Sequence, residues 1–247
     1  MKVGVIGNTK LTEKGIHLLS KLGYDIEYIF GLSDEQREGK VNSVDLTPLS
    51  SKLDIPLFKG TDWDSIIDIN VDLIISLGDS RYVPPSVVER FDVIGNHGAV
   101  LPFVQGGASL VWGRMLNNGE WGVSIMVLDK KIDNGTILKT GTFNYTSDIS
   151  MNDFCEKCDD LTIELLEDYL LNGADDYSDV SSSINLRVSK HIDSKVGTEL
   201  LKFCMDNGLN VYMPPRTQSD GLVKDEWDSE FIENFKKANN TPYPKYQ

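Results

Sequence analysis

Two short stretches carry residue types suited to moving protons. The first is Gly95-Asn96-His97-Gly98-Ala99-Val100-Leu101-Pro102, where an apolar run ends on a polar pair and the chain turns. The second runs from Asp129 to Leu138, with Asp133 just before Asn134-Gly135 and a further apolar run. Imidazole is the side chain whose proton affinity lies nearest neutral pH. A carboxylate beside it fixes the ring and steadies its cation. A side-chain amide donates to an oxygen that gains charge. His97 is one of three histidines and stands among glycines and an asparagine, an odd setting for a packing residue. Taken singly, each residue also fits a structural role: a satisfied histidine, an aspartate opening an Asn-Gly turn, an asparagine capping a turn.

Such groups need strand ends to hold them, because ligands of open α/β sheets bind beyond the carboxyl ends of the strands. The chain supplies strands in the required order. Lys2–Ile6 reads as a buried strand, Leu11, Gly15, Leu18, Leu19 and Leu22 as one face of a helix, and Ile26–Phe30 as a second strand. That β-α-β opening predicts a parallel sheet with right-handed crossovers. The first turn lacks both G-x-G-x-x-G and a P-loop, which argues against a dinucleotide or P-loop nucleotide site there. Short helices are expected at Asp45–Leu53, Asp62–Ile67 and Pro85–Arg90, and an extended segment at Ile55–Phe58. Val71–Leu77 is a strongly apolar strand, and Gly78-Asp79-Ser80-Arg81-Tyr82 leaves its carboxyl end.

Val93 and Ile94 begin the strand that delivers Asn96 and His97. Gly106–Leu116 has helical spacing, and Asn117-Asn118-Gly119 ends it, with Gly119 free for a left-handed cap. Trp121–Leu128 and Thr136–Tyr145 are joined by a short link holding Asp133, so an antiparallel pair and a mixed sheet are expected. Ser150 with Asp153 marks a helix start, and Asn172-Gly173 its end. Ala174–Ser183 is acidic and serine-rich and reads as a mobile link. Val196–Asn207 and Asp228–Ala238 look helical, and Leu209–Met213 looks extended. The expected fold is α/β, a Rossmann-like, mostly parallel twisted sheet with flanking helices. A catalytic domain is expected over 1–175, with a short C-terminal extension over 176–247 packed on it.

The chain has 247 residues and a formal net charge of −14. That charge disfavours a broad nucleic-acid surface. No apolar run is long enough to span a bilayer, and the N-terminus does not read as a signal peptide, so a cytoplasmic protein without a membrane partner is expected. Cys155-Glu156-Lys157-Cys158 has no second pair to complete a zinc site, and Cys204 stands alone, so no metal is expected.

Several blocks occur together and in order: His97-Gly98-Ala99-Val100-Leu101-Pro102, Gly106-Gly107-Ala108, Asn118-Gly119-Glu120, Gly122-Val123-Ser124-Ile125 and Asp133-Asn134-Gly135-Thr136-Ile137-Leu138. Asp220-Gly221-Leu222-Val223, Trp227, Lys237-Ala238 and Thr241-Pro242-Tyr243-Pro244 follow. This set resembles the folate-dependent formyltransferases, across roughly the whole chain and most densely from Asp92 to Leu138. Two positions depart from that pattern. The family usually has Asn two places before the His, where this chain has Gly95 and carries its asparagine next door, at Asn96. Neighbours on a strand face opposite ways, so a bulge at Asn96 would be needed to bring it round. The family often has Arg where this chain has Gln105.

The resemblance implies transfer of a formyl group from 10-formyltetrahydrofolate to a primary amine through a tetrahedral intermediate. His97, Asp133 and Asn96 are the implied catalytic residues, and the sequence leaves open which of them takes the amine proton. Gly78, Asp79, Arg81 and Asp133 are the candidate folate contacts. Gln105, Gly106 and Arg114 are the candidate acceptor contacts, and Lys139 and Lys236 could also meet a diphosphate. The chain has no room for the C-terminal barrel of methionyl-tRNA formyltransferases, and its first turn is poor for glycinamide ribonucleotide. The expected acceptor is therefore a nucleotide-linked amino sugar, and a homodimer is expected. Methionyl-tRNA, glycinamide ribonucleotide, formyltetrahydrofolate hydrolysis and a folate-binding module without turnover stay as alternatives.

Overall fold

A computed structural model describes residues 1–38, 40, 42–175 and 184–243. The first half alternates strand and helix. β1 (Lys2–Ile6), α1 (Lys10–Lys21) and β2 (Asp25–Gly31) form the opening unit. Then come α2 (Asp34–Arg37), α3 (Thr47–Leu53), β3 (Leu57–Lys59), α4 (Asp64–Ile67), β4 (Leu73–Ser76), α5 (Pro85–Val88) and β5 (Val93–His97). After them lie β6 (Val104–Gly106), α6 (Ser109–Leu116), β7 (Glu120–Val127), β8 (Ile137–Asn144) and the long α7 (Met151–Asn172). β9 (Leu186–Arg187), α8 (Ser194–Asp206), β10 (Val211–Met213) and α9 (Ser229–Ala238) complete the order.

Seven strands make the main sheet, in the order β3-β2-β1-β4-β5-β7-β8. The pairs from β3 to β5 are parallel, and β5–β7 and β7–β8 are antiparallel. Helices cover both faces, so central strands such as β4 are buried along their whole length and read as unbroken apolar runs. One face packs Val3, Val5, Ile75 and Ile94 against Leu11, Leu18 and Leu19 of α1 and Leu166 of α7. The other packs Ile6, Tyr28, Phe30 and Ile74 against Ile66, Val83 and Val87.

The sheet is mixed, as the short β7–β8 link predicts. A second sheet, β6-β10-β9, contains the expected extended segment as β10 (Val211–Met213), while β6 and β9 lie outside the reading from periodicity. Gly106 closes β6, and α6 starts only at Ser109, so the expected helix over 106–116 loses its first three residues to a strand and a turn. Asn117, not Gly119, is the left-handed cap of α6, with φ of 50°. Two expected features, the acidic link over 174–183 and the boundary at 175/176, fall largely on residues 176–183, outside the described residues.

The stretch from Leu186 onward shares a core with α6 and α7. Leu201, Val211, Met213, Phe235 and Ala238 cluster with Trp112, Met115, Trp121 and Phe154. Arg216 lies 5.0 Å from the Trp112 ring centre and 5.7 Å from that of Phe235. It also donates to Ser194 Oγ at 3.0 Å and Asn239 Oδ1 at 3.2 Å. Burial lowers its pKa to about 10. Cys155 and Cys158 are free thiols in the interior of α7, and burial pushes Cys155 up to about 12. No described helix is long and apolar enough to cross a membrane.

Candidate active site

β5 ends in the middle of the sheet and delivers His97 to its carboxyl edge, with a side chain only 8% exposed. The turn after it is pinned from β7, whose Ser124 stands opposite His97 in register. Ser124 Oγ accepts from Leu101 N at 2.9 Å and donates to Ala99 O at 2.9 Å. Trp121 Nε1 donates to Gly98 O at 2.8 Å. The hinge beyond the histidine is thus held by side chains of the neighbouring strand.

Asp133 reaches the same place from the β7–β8 link. Its backbone is left-handed, with φ of 53°, a region that short polar side chains tolerate better than most. His97 Nδ1 lies 3.3 Å from Asp133 Oδ1, and Gly106 N donates to Asp133 Oδ2 at 2.8 Å. His97 Nε2 sits 3.0 Å from Val104 O. Both ring nitrogens face acceptors, and only the doubly protonated ring can donate to both at once. The arrangement fixes the ring between two acceptors and sets it beside Asp133, whose carboxylate meets a cavity.

Gly106 makes this geometry possible. Its φ is 98°, and a Cβ there would lie 2.0 Å from Met213 O of β10. Glycine lets β10 approach closely while the Gly106 N–H stays aimed at Asp133.

β5 makes no bulge at Asn96 in its pairing with β7. Ile94, Gly95, Asn96 and His97 pair in unbroken register with Val127, Met126, Ile125 and Ser124. Asn96 therefore leaves the strand opposite to His97, and its Oδ1 accepts from Gly78 N at 3.2 Å. The place beside His97 on its own face belongs to Gly95. A Cβ on Gly95 would lie 2.7 Å from Leu128 Cδ2, so Leu128 occupies that space.

Two cavities meet here. One, of about 550 Å³, is lined by His97, Asp133, Gly106 and Gly107, with Tyr82, Val83, Leu128, Ile132 and Tyr212 as apolar walls. The other, of about 360 Å³, lies over the start of α1 and reaches Cys155, Glu156 and Asp159 of α7. Asp79, Ser80, Asn96 and Ala108 line both.

The remaining candidate residues divide. Gly78 lies at the junction through its N–H. Asp79 and Arg81 form a buried pair, and Arg81 uses all five of its N–H donors on protein oxygens. They go to Asp79, to Phe30 O at 2.9 Å, to Gly31 O at 3.2 Å and to Gly60 O. The Arg81 guanidinium is a clasp over the ends of β2 and β3, not a free ligand for folate. Gln105 is 3% exposed, lines neither cavity and leaves Nε2 without a partner. Arg114 also reaches neither cavity. It is fully buried in α6 and donates to Ile149 O at 3.0 Å, Ser147 O at 2.9 Å and Asn117 Oδ1 at 3.2 Å. Desolvation lowers its pKa. Lys139 is paired with Asp168 and Asp175, each at 2.6 Å.

Asp159 is one of several cavity-lining residues absent from the candidate site residues read from the sequence. Cys155, Asp159, Thr162 and Leu166 share one stripe of α7. A carboxylate on the buried stripe of a helix was the signal that could have found it.

Known proteins bear on this geometry in two ways. In sequence, the chain is 23% identical over 206 residues to a methionyl-tRNA formyltransferase of Prochlorococcus marinus, covering 79% of this chain and 62% of that one. A second methionyl-tRNA formyltransferase, from Limosilactobacillus fermentum, is 32% identical over 111 residues, 35% of its length. In structure, a sugar N-formyltransferase from Shewanella sp. FDAARGOS_354 matches with a TM-score of 0.67 at 14% identity, covering 96% of this chain and 87% of that one. The chain is thus similar in sequence to methionyl-tRNA formyltransferases and shares the fold of a sugar N-formyltransferase. An N-formyltransferase from Helicobacter canadensis, in complex with folinic acid and dTDP-3-aminofucose, shares the fold with a TM-score of 0.68 at 15% identity, over 96% of this chain and 80% of that one. The chain spans less than two thirds of the length of these two methionyl-tRNA formyltransferases that it matches in sequence. No family model matches it.

Proposed function

We propose that this chain is a formyltransferase that moves a formyl group from 10-formyltetrahydrofolate to the primary amine of a small, nucleotide-linked amino sugar. One observation carries the reading: the His97–Asp133 pair opens on one of two cavities that meet at Asn96. A two-substrate transfer needs a donor and an acceptor held side by side within reach of proton-handling groups. The larger cavity fits the folate, since its apolar walls suit a flat bicyclic ring with an aromatic extension and Asp133 stands at its end. The folate would supply an activated formyl carbon and a nitrogen leaving group.

On this reading the amine loses a proton as it bonds to the formyl carbon, and the folate nitrogen gains one as its bond to that carbon breaks. His97 and Asp133 act as one unit that takes the first proton and returns the second. Asp133 faces the cavity, and His97 behind it stabilises the charge that the carboxylate alternately carries and loses. Asn96, held by the Gly78 N–H on its oxygen, keeps its Nδ2 for the formyl oxygen as negative charge gathers there.

The folate complex of the Helicobacter canadensis relative, and the amino sugar bound with it, support both substrate classes. The sequence relatives favour a second reading, methionyl-tRNA as acceptor. The net charge of −14 weighs against a polyanion. Release of tetrahydrofolate by the purified chain, with amino-sugar nucleotides, with methionyl-tRNA and with water alone, separates the readings. Turnover that depends on an amino-sugar nucleotide supports the proposal, and turnover with water alone makes the protein a hydrolase. His97→Ala and Asp133→Asn should each lower the amine-dependent rate by roughly 10²–10⁴-fold in folded protein.

A further inference from the structure

We propose that Arg187, stacked on Tyr212 at the outer edge of the second sheet, binds the glutamyl carboxylate of the folate and so selects a donor with an acidic tail. This rests on the reading that the larger cavity holds the folate, and it adds a residue and a substrate feature to that reading.

Tyr212 of β10 pairs with Gln105 of β6 on one side and with Arg187 of β9 on the other. Its ring is a wall of the larger cavity. The Arg187 guanidinium lies 4.0 Å from the centre of that ring. Stacking fixes the guanidinium plane and leaves its N–H edge free to pair a carboxylate through two parallel hydrogen bonds. Arg187 is exposed, and among the described residues that edge meets neither a carboxylate nor a carbonyl. Next to Gln105, Gly106 of β6 holds Asp133 through its N–H. Strands of a sheet lie about 4.8 Å apart, so the Arg187 backbone stands roughly 10 Å from β6, across Tyr212. In a folate the benzoyl ring and its amide cover roughly the same 10 Å, from the nitrogen that carries the formyl group to the first glutamyl carboxylate. A folate with its reacting nitrogen at Asp133 and its benzoyl ring along Tyr212 therefore brings that carboxylate to Arg187.

The other charges around this cavity agree. Asp79 is held by Arg81, and Lys130 is paired with Glu89. The Asp129 carboxylate accepts from Lys131 N at 2.6 Å. The Lys131 ammonium, on the same wall, has no partner among the described residues. Lys131 and Arg187 thus stand unpaired beside one cavity in a chain of net charge −14. Two free cations there favour a ligand whose outer end is anionic.

The test measures binding of folinic acid and of 5-formyltetrahydropteroate, the same donor skeleton without its glutamate, to the full chain and to Arg187→Ala. The pteroate ends in a carboxylate on the benzene ring, short of Arg187. The Kd of folinic acid should rise about five- to tenfold in Arg187→Ala, with an unchanged melting temperature, while the Kd of the pteroate stays the same in both proteins. Arg187→Lys should keep part of the affinity, and the difference for folinic acid should shrink between roughly 50 and 500 mM salt. An unchanged Kd for folinic acid in Arg187→Ala, or an equal loss for both ligands, overturns the proposal. So does a loss of affinity confined to dTDP, which would give Arg187 to the acceptor diphosphate. In each of those outcomes the wild type still binds folinic acid, and the folate reading stands. A wild type that binds neither folate ligand removes that reading and the proposal with it.

Discussion

Asn96 and His97 are adjacent, yet they leave β5 on opposite faces, and Asn96 lines both cavities while His97 lines only the larger. His97 meets Asp133 on one side, while Asn96 is held by Gly78 N–H on the other. Removing the Asn96 amide should lower the rate of formyl transfer by roughly 10²–10³-fold in Asn96→Ala, with little change in folate affinity. A rate within threefold of wild type would show that Asn96 only braces the Gly78 turn. Asp159 gives a prediction about stability. Its folded-state pKa of about 6 lies above the ordinary carboxylate value of 3.8. The folded chain therefore keeps a proton there that the unfolded chain releases, and the contribution of Asp159 to stability falls as pH rises from about 4 to about 6. Asp159→Asn should be the more stable protein at pH 7.5, by up to roughly 2–3 kcal/mol, and the gain should vanish near pH 3.5. Chemical denaturation at the two pH values measures it, and an equal or smaller stability at pH 7.5 contradicts the account. His97 and Asp133 were legible in the sequence because each sits in a block of fixed order. Gln105 and Arg114 line neither cavity, and residue type alone does not tell a ligand from a buried clasp. Arg114 caps the loop over 147–149 from inside a helix whose face only packing defines.

The elements that place the site owe much to one loop. Gly78 to Tyr82 joins β4 to the rim of the larger cavity, and Arg81 ties that loop to Phe30, Gly31 and Gly60. Its guanidinium also stacks on Phe30, 4.5 Å from the ring centre. Arg81→Met leaves the buried Asp79 carboxylate without its partner and should cost about 3–5 kcal/mol of stability. An unfolding free energy unchanged in that variant would restore a ligand-binding role for Arg81. The parallel half of the sheet was readable from apolar runs and turn residues, because strands buried on both faces leave little choice of pattern. β6 and β9 were not, since strands of two or three residues carry no period. The carboxyl end of β6 is nevertheless what holds Asp133, through Gly106 N–H.

Across the whole molecule, the described C-terminal segments share one core with α6 and α7. Phe235 is fully buried there, against Trp227 at 4.8 Å between ring centres. Phe235→Ala should therefore destabilise the entire chain by about 3–5 kcal/mol in a single cooperative transition. A separate early transition, with the main sheet unaffected, would show two independent units. The arrangement of two cavities around His97, Asp133 and Asn96 is the central claim, and one measurement addresses it. Purified chain is incubated with 10-formyltetrahydrofolate and an amino-sugar nucleotide, and the sugar is examined by mass spectrometry for one added formyl group, with His97→Ala alongside. The account predicts a formylated sugar with wild type and none above background with His97→Ala. Equal formylation by both proteins, or by neither across a panel of amino-sugar nucleotides, would contradict it.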